Sequence, residues 1–359
     1  MKIIIFAGGA GTRLWPLSRL KSPKQFEKIV NSKSSLQLTV DRLIPEFKYE
    51  DIFISTNIIY KKLIHKQLPL IPKKNFIFEP AKKDTGPAVL LSLLIIKKNF
   101  PNEPVIILWS DHIIRKEKKF KKIIKIAVEK IKRDSKKIIF ISQKPRYPNS
   151  NLGYIHFGDK IKEIDNINFY SFLGFRYKPG NKLAKRYFQI GSYAWNLGYF
   201  VAMPDYIINL YKKFNHQLYK HLRTVVNFYN KKNFDSILSR IYISLPSSSF
   251  DNEILEKIDK KSALVIKEDI DWSDIGSWEQ LKEALQKNKK DNVTKGNIYT
   301  KETTDSLIYN FEKEKLVVGI DLKEAIIVNT KDVILICKKS SMEKLKKIVE
   351  EFKNKENFI

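Results

Sequence analysis

Between residues 6 and 26 the chain reads FAGGAGTRLWPLSRLKSPKQF, where Gly8, Gly9 and Gly11 are followed by Arg13 and, farther on, by Lys24. Backbone N–H groups bared by glycine can close on phosphate oxygens, Arg offers a flat two-toothed fork, and Lys a point charge. A dinucleotide fingerprint needs G-x-G-x-x-G, and counting from Gly9 the third small residue is replaced by Leu14, which argues against NAD. A Walker loop sets its Lys directly after glycine, whereas Lys24 stands far from any glycine pair and behind Pro23, which argues against a P-loop ATPase. What remains is a glycine-rich grip on a polyphosphate, with Arg13 and Lys24 as its cations.

Two aspartates carry the other candidate chemistry, Asp111 in WSDHII and Asp274 in DWSDIGSW. Asp111 follows the apolar run 105–109 and so belongs at the carboxyl end of a strand, where open α/β sheets bind ligands. Asp274 lies between Trp272 and Trp278 beside Gly276, a context suited to a tight loop over a site. Taken singly, each is an ordinary turn or cap residue. His112 reads as a hydrogen-bonding neighbour of the acid rather than a metal ligand, and the isolated His65, His156 and His216 give no zinc spacing.

The elements that must position these residues alternate. Apolar runs at 2–6, 51–55, 105–109 and 137–142 are separated by helical patterns, which predicts a parallel sheet covered by helices on both faces. The clearest helix spans 116–133, with Phe120, Ile123, Ile124, Ala127 and Ile131 on one stripe and lysines opposite. After about residue 288 the polar QKNKKDNVTKGN breaks the pattern, and short runs follow at SLIYN, KLVVGIDL, AIIVNT and DVILIC. These predict a small β-rich domain closed by an amphipathic helix with the stripe Met342, Leu345, Ile348, Val349 and Phe352. The expected division is 1–287 and 288–359.

With 67 Lys and Arg against 39 Asp and Glu, the formal charge is +28. Lys, Ile and Asn are abundant throughout, as an A/T-rich coding bias would produce, and no RNP, zinc-finger or helix-turn-helix pattern is present, so the charge does not point to nucleic acid. Cys337 is the only cysteine, which excludes a disulfide framework and a cysteine-rich metal site. The first apolar run is too short for a signal-peptide core and no run of about 18 apolar residues follows, so a soluble cytoplasmic protein is expected.

The stretch GGAGTRLWPLSRLKSPKQF resembles the signature of the sugar-1-phosphate nucleotidyltransferases, and its Trp15, Ser18 and PKQF resemble the mannose-1-phosphate guanylyltransferases among them. Later segments agree in order. EPAKKDTGPAV from Glu79 resembles the nucleotide-contacting turn, WSDHII the strand-end Asp-His, SSSFDNEILEK the Phe-Asp helix start, and DWSDIGSWEQL the second acidic motif. The resemblance implies a Rossmann-like α/β nucleotidyltransferase domain with a mostly parallel mixed sheet, and a C-terminal β-rich region similar to a left-handed β-helix.

It also implies transfer of GMP from GTP to mannose-1-phosphate, giving GDP-mannose and pyrophosphate. Arg13 and Lys24 would be catalytic, and Gly8, Gly9, Gly11, Thr12, Glu79, Pro80, Thr85 and Gly86 would bind the nucleotide. Gly153, Tyr177, Lys178 and Asn196 would meet the sugar phosphate, and Asp111 and Asp274 would hold Mg2+. The implied partners are the two substrates and a second copy of the chain through the C-terminal region, with no nucleic acid and no membrane. The chain stops soon after the β-rich tail, so no separate isomerase activity of the kind carried by longer bifunctional relatives is expected.

Three departures bear on the sugar. GFRYKPG places Tyr177 where the family has a carboxylate, YAWNLGYF places Leu197 where a small polar residue is usual, and NLGYI keeps Gly153 without the usual preceding Tyr-Gly. Tyrosine offers one hydroxyl where a carboxylate would accept several hydrogen bonds. Another sugar-1-phosphate, such as a heptose, is therefore the alternative substrate. A non-catalytic homologue that only binds nucleotide sugar is the third reading, and the intact Arg13, Lys24, Asp111 and Asp274 count against it.

Overall fold

The computed structural model describes residues 1–9, 14–19, 22–29 and 33–352. Its strands, in chain order, are β1 Lys2–Phe6, β2 Ile52–Asn57, β3 Phe76–Glu79, β4 Val105–Trp109, β5 His112–Ile114, β6 Ile138–Gln143, β7 Gly153–Ile164, β8 Ile167–Arg176, β9 Tyr193–Ala202, β10 Ala263–Glu268 and β11 Trp272–Asp274. The β-rich tail adds β12 Val293–Lys295, β13 Ile298–Lys301, β14 Leu307–Asn310, β15 Val317–Ile320, β16 Ala325–Asn329 and β17 Ile334–Lys338. The four runs expected to be strands are strands, within two residues at each end.

The described residues form two compact units that do not follow chain order. One comprises Met1–Gly8, Val40–Trp109 and Ile114–Asp271, and the other lies within Gly9–Thr39, Ser110–Ile113 and Trp272–Ile359. Gly9, Lys24, Asp111 and Asp274 thus group with the tail rather than with the large sheet. Their shared core explains the grouping, since Leu14, Trp15, Ile29, Ile275 and Trp278 pack with Val293, Leu307, Tyr309 and Val328.

The first unit is built on a nine-stranded sheet in the order β3-β2-β1-β4-β9-β6-β10-β8-β7. β1, β2, β3 and β4 are parallel neighbours, β6 and β10 are parallel, and β8 and β9 run against the rest. The runs IIIF and VIIL are buried on both sides, which is why they lack alternation. The helix Glu117–Arg133 buries all five residues of the expected stripe. The helix Thr85–Asn99 is buried from Gly86 to Ile96, because the sheet's apolar face and helices Pro204–Phe214 and His216–Asn227 enclose it.

In the second unit, β12, β14 and β16 form one parallel ladder and β13 and β15 another, so successive turns of chain stack as in a β-helix, and β17 closes the first ladder antiparallel to β16. The last described helix of the tail is Leu345–Glu351, which follows the 3-10 helix Lys339–Lys344. Met342, Leu345 and Val349 are buried, whereas Ile348 is 42% exposed. The expected stripe was one residue too wide, because Ile348 is rotated well away from the line through Leu345 and Val349. Among the described residues no helix is long and apolar enough to cross a membrane.

Candidate active site

In the second unit, Lys24 opens a single helical turn, Lys24–Phe26, set by the preceding Pro23, whose carbonyl accepts from Phe26 N at 2.9 Å. Gln25 Nε2 donates to Gly9 O at 3.2 Å, tying this turn to the glycine loop. Lys24 is 8% exposed. Its Nζ lies 2.7 Å from Asp111 Oδ2 and 3.9 Å from Asp274 Oδ1, and donates to Ile275 O at 3.0 Å. Two carboxylates 163 positions apart in sequence therefore converge on one buried ammonium.

The convergence has a local cause. β5 pairs with β11, and Ile275 N donates to Asp111 O at 3.2 Å, so the residue before one short strand and the last residue of the other meet. Beyond Ile275 and Gly276, Ser277 caps the helix Trp278–Leu285 by accepting from Gln280 N at 3.3 Å, and Trp278 Nε1 donates to Trp15 O at 2.9 Å. His112 packs its ring edge to face with Trp272, 4.9 Å between centroids, and its Nε2 is 3.7 Å from Asp111 Oδ1.

Burial alone would lift the Asp111 carboxyl, but the Lys24 ammonium and then His112 overcome it and hold the group well below the usual carboxylate range. Asp274 Oδ1 is buried and has no hydrogen-bond partner among the described residues. An unsatisfied carboxylate oxygen beside a second carboxylate is a hard-oxygen donor set that fits a divalent cation, which takes one or two carboxylates and completes its shell with phosphate and water. No group of three or more metal-ligating side chains exists among the described residues.

The remaining loop residues divide. Gly8 and Gly9 are exposed, each has open space where a side chain would stand, and Gly9 holds φ +102°, a conformation only glycine adopts freely. Gly11, Thr12 and Arg13 lie outside the described residues.

In the first unit, Glu79 ends β3 and is buried. Its Oε2 accepts from Tyr242 OH at 2.7 Å and its Oε1 from Ser55 Oγ at 3.3 Å. Burial, opposed by these two bonds, pushes its carboxyl up to about 7. Pro80 is half-buried beside it. Asp84, at φ +64°, caps the helix Thr85–Asn99, and Thr85 Oγ1 accepts from Phe250 N at 2.8 Å. Gly86 N donates to Ser248 O at 2.8 Å, and a side chain at Gly86 would press to within 2.9 Å of that oxygen. Glycine here serves the close approach of the 248–250 loop, and its N–H is already spent on it.

Gly153 and Asn196 are register partners on β7 and β9, and a methyl at Gly153 would touch Asn196 Cβ at 3.4 Å. Asn196 Oδ1 accepts from Gly198 N at 3.0 Å. Leu197 is 2% exposed, so this departure is a core residue and not a wall facing solvent. Tyr177 is exposed, with Lys178 Nζ 4.9 Å over its ring. Lys178 also acts electrostatically on Asp251, whose carboxyl is pushed up to about 6 by burial and by the carboxylates of Asp84 and Glu256. Asp251 lies in the Phe-Asp segment, whose sequence pattern assigns it no role.

The chain thus carries a mixed sheet, a glycine loop after β1 and a pair of converging aspartates; the family described as Nucleotidyl transferase matches residues 2–291, and the chain belongs to that family. Its relatives are narrower in kind. It is 32% identical to the Escherichia coli mannose-1-phosphate guanylyltransferase over 97% of this chain and 74% of that one. It is 33% identical to mannose-1-phosphate guanylyltransferase 2 of Escherichia coli O157:H7 over 98% and 73%. A crystal structure from Thermus thermophilus, described as a mannose-1-phosphate geranyltransferase, superposes with a TM-score of 0.87 at 23% identity over 98% of both chains, which speaks to the fold. Nucleotidyltransferases as a class work with a divalent cation.

Proposed function

We propose that this chain transfers the GMP unit of GTP to mannose-1-phosphate in the cytoplasm, forming GDP-mannose and pyrophosphate. The observation that carries the reading is the convergence of Asp111 and Asp274 on buried Lys24, in a chain whose relatives bear that activity in their names. A phosphate oxygen of the sugar-1-phosphate attacks the α-phosphorus, and the bond from that phosphorus to its β-bridging oxygen breaks with its electron pair leaving on pyrophosphate. The attacking oxygen is already anionic, so no general base is needed.

Catalysis then rests on alignment and charge. Gly8, Gly9, Gly11 and Thr12 close backbone N–H groups on the triphosphate, Arg13 steadies the leaving pyrophosphate, and Lys24 places positive charge at the reacting phosphates. Asp111 and Asp274 are the pair that would hold Mg2+, which supplies charge neutralisation when bound. Glu79 and Pro80 with Thr85 and Gly86 shape the nucleotide turn, while Gly153, Asn196, Tyr177 and Lys178 meet the sugar phosphate. A homodimer through residues 288–359 belongs to the same reading, supported by Tyr299, Val318 and Ile320 standing exposed on paired β13 and β15; a monomeric mass in sedimentation would discard it.

The test is pyrophosphate release with magnesium and GTP, ATP, dTTP or UTP, crossed with mannose-1-phosphate, glucose-1-phosphate and a manno-heptose-1-phosphate. Selective release with GTP and mannose-1-phosphate is expected, reduced on the order of a hundredfold or more in Lys24→Met. Release with the heptose instead would favour the second reading, to which the exposed Tyr177 points. No release with any pair sinks both.

A further inference from the structure

We infer that Asp332 is a positioning residue for the catalytic loop: through Arg19 it pins the segment that carries Lys24 onto the β-rich tail. Arg19 donates from NH1 to Asp332 Oδ2 at 3.0 Å and from NH2 to Oδ1 at 2.8 Å, a two-toothed pairing across 313 residues of chain. The same guanidinium donates from Nε to Pro16 O at 2.9 Å, so it also closes the turn that follows Trp15. One side chain thus sets both the shape of the loop's first half and its place on the tail.

The carboxylate stands in an ordered turn. Asp332 lies in the turn between β16 and β17, where Thr330 N and Thr330 Oγ1 both donate to Val333 O at 2.9 Å, and the same hydroxyl lies 3.3 Å from Asp332 Oδ1. A planar fork on a carboxylate specifies orientation as well as distance.

A second tether stands beyond Lys24. Lys295, on β12, donates from Nζ to the carbonyls of Lys28 and Ile29, the latter at 3.1 Å. Lys24 therefore lies five residues after one tether and four before the other. Both anchors belong to the tail, and the ion pairs of Lys24 with Asp111 and Asp274 stand between them. An exposed ion pair adds little to global stability. A displacement of about 1 Å at a reacting group, by contrast, costs on the order of a hundredfold in rate.

The kinetic half of this inference rests on the proposed activity, and the structural half does not. The experiment compares full-length wild type, Asp332→Ala, the charge swap Arg19→Glu with Asp332→Arg, and Glu129→Ala, which breaks an exposed ion pair with Lys132 on the helix Glu117–Arg133. Amide hydrogen exchange of the peptide covering 14–29 should quicken in Asp332→Ala, return toward wild type in the swap, and stay unchanged in Glu129→Ala. With the nucleotide and sugar phosphate that the wild type accepts, kcat in Asp332→Ala should fall about tenfold or more while KM for GTP and the melting temperature stay near wild type. Unchanged exchange in 14–29 overturns the inference, as does a fall in kcat that merely tracks a large loss of melting temperature. If the wild type accepts no substrate pair, the functional reading fails and exchange alone still decides whether Asp332 pins the loop.

Discussion

Lys24 and Glu79 are both buried charged groups in motif positions, yet they are stabilised in opposite ways. Lys24 has two carboxylates beside it and stays paired. Glu79 has only hydroxyl donors, and burial leaves its carboxyl near 7. Between its ordinary value of 4.5 and about 7, the folded chain keeps a proton that the unfolded chain has released. Stability should therefore fall as pH rises through that window, by on the order of 3 kcal/mol at most. Glu79→Gln keeps an acceptor for Tyr242 and removes the titration. Its melting temperature relative to wild type should rise from pH 5 to pH 8, and a constant difference would show that Glu79 is not the group responsible. The sequence revealed these residues as motif members but not their duties. Thr85 and Gly86 read as nucleotide contacts and also bond to Phe250 N and Ser248 O, a structural link that no pattern in EPAKKDTGPAV could announce, since Ser248 lies 162 residues beyond Gly86.

At the scale of elements, the short pair β5 and β11 accounts for the meeting of Asp111 and Asp274. Strands of three residues carry no readable period, so sequence could place each acid at a strand end or loop but not bring them together. The large sheet was easier, because its buried runs are continuous and bounded. β9 hides one irregularity: its pairing with β6 shifts between Ile141 and Ser142, opposite Leu197 and Gly198. Gly198 holds φ +69°, and a side chain there would run into Trp109 Nε1, which donates to Gly198 O at 3.1 Å. Gly198→Ala should therefore destabilise the fold by about 1–3 kcal/mol. Chemical denaturation would measure it, and a midpoint equal to wild type would mean that the kink beside Asn196 relaxes freely.

For the molecule as a whole, the charge of +28 works on the encounter with substrates rather than on the fold. A polyphosphate nucleotide and a sugar phosphate are both drawn to a cationic surface, and salt screens that attraction beyond about 10 Å at 0.1 M. Raising sodium chloride from roughly 20 to roughly 300 mM should lower kcat/KM for the nucleotide several-fold while leaving kcat nearly unchanged. A salt-independent kcat/KM would assign the lysines to solvation alone. The tail was legible as a change of composition after 288, but its partnership with residues 9–39 was not, because the apolar residues that create it, Leu14, Trp15 and Ile29, are scattered singly among polar neighbours.

That discontinuous unit also imposes an order of events on synthesis. The ribosome delivers Lys24 early and Asp111 a third of the way along, but Asp274, Lys295 and Asp332 emerge hundreds of residues after the loop they hold. The large sheet receives its last strand, β10, at Glu268, and Asp274 completes the acid pair six residues later, so sheet and acid pair are finished almost together while Lys295 and Asp332 are still to come. A chain interrupted near residue 270 would hold every strand of the large sheet together with Lys24 and Asp111, but would lack Asp274 and both tail anchors, Lys295 and Asp332.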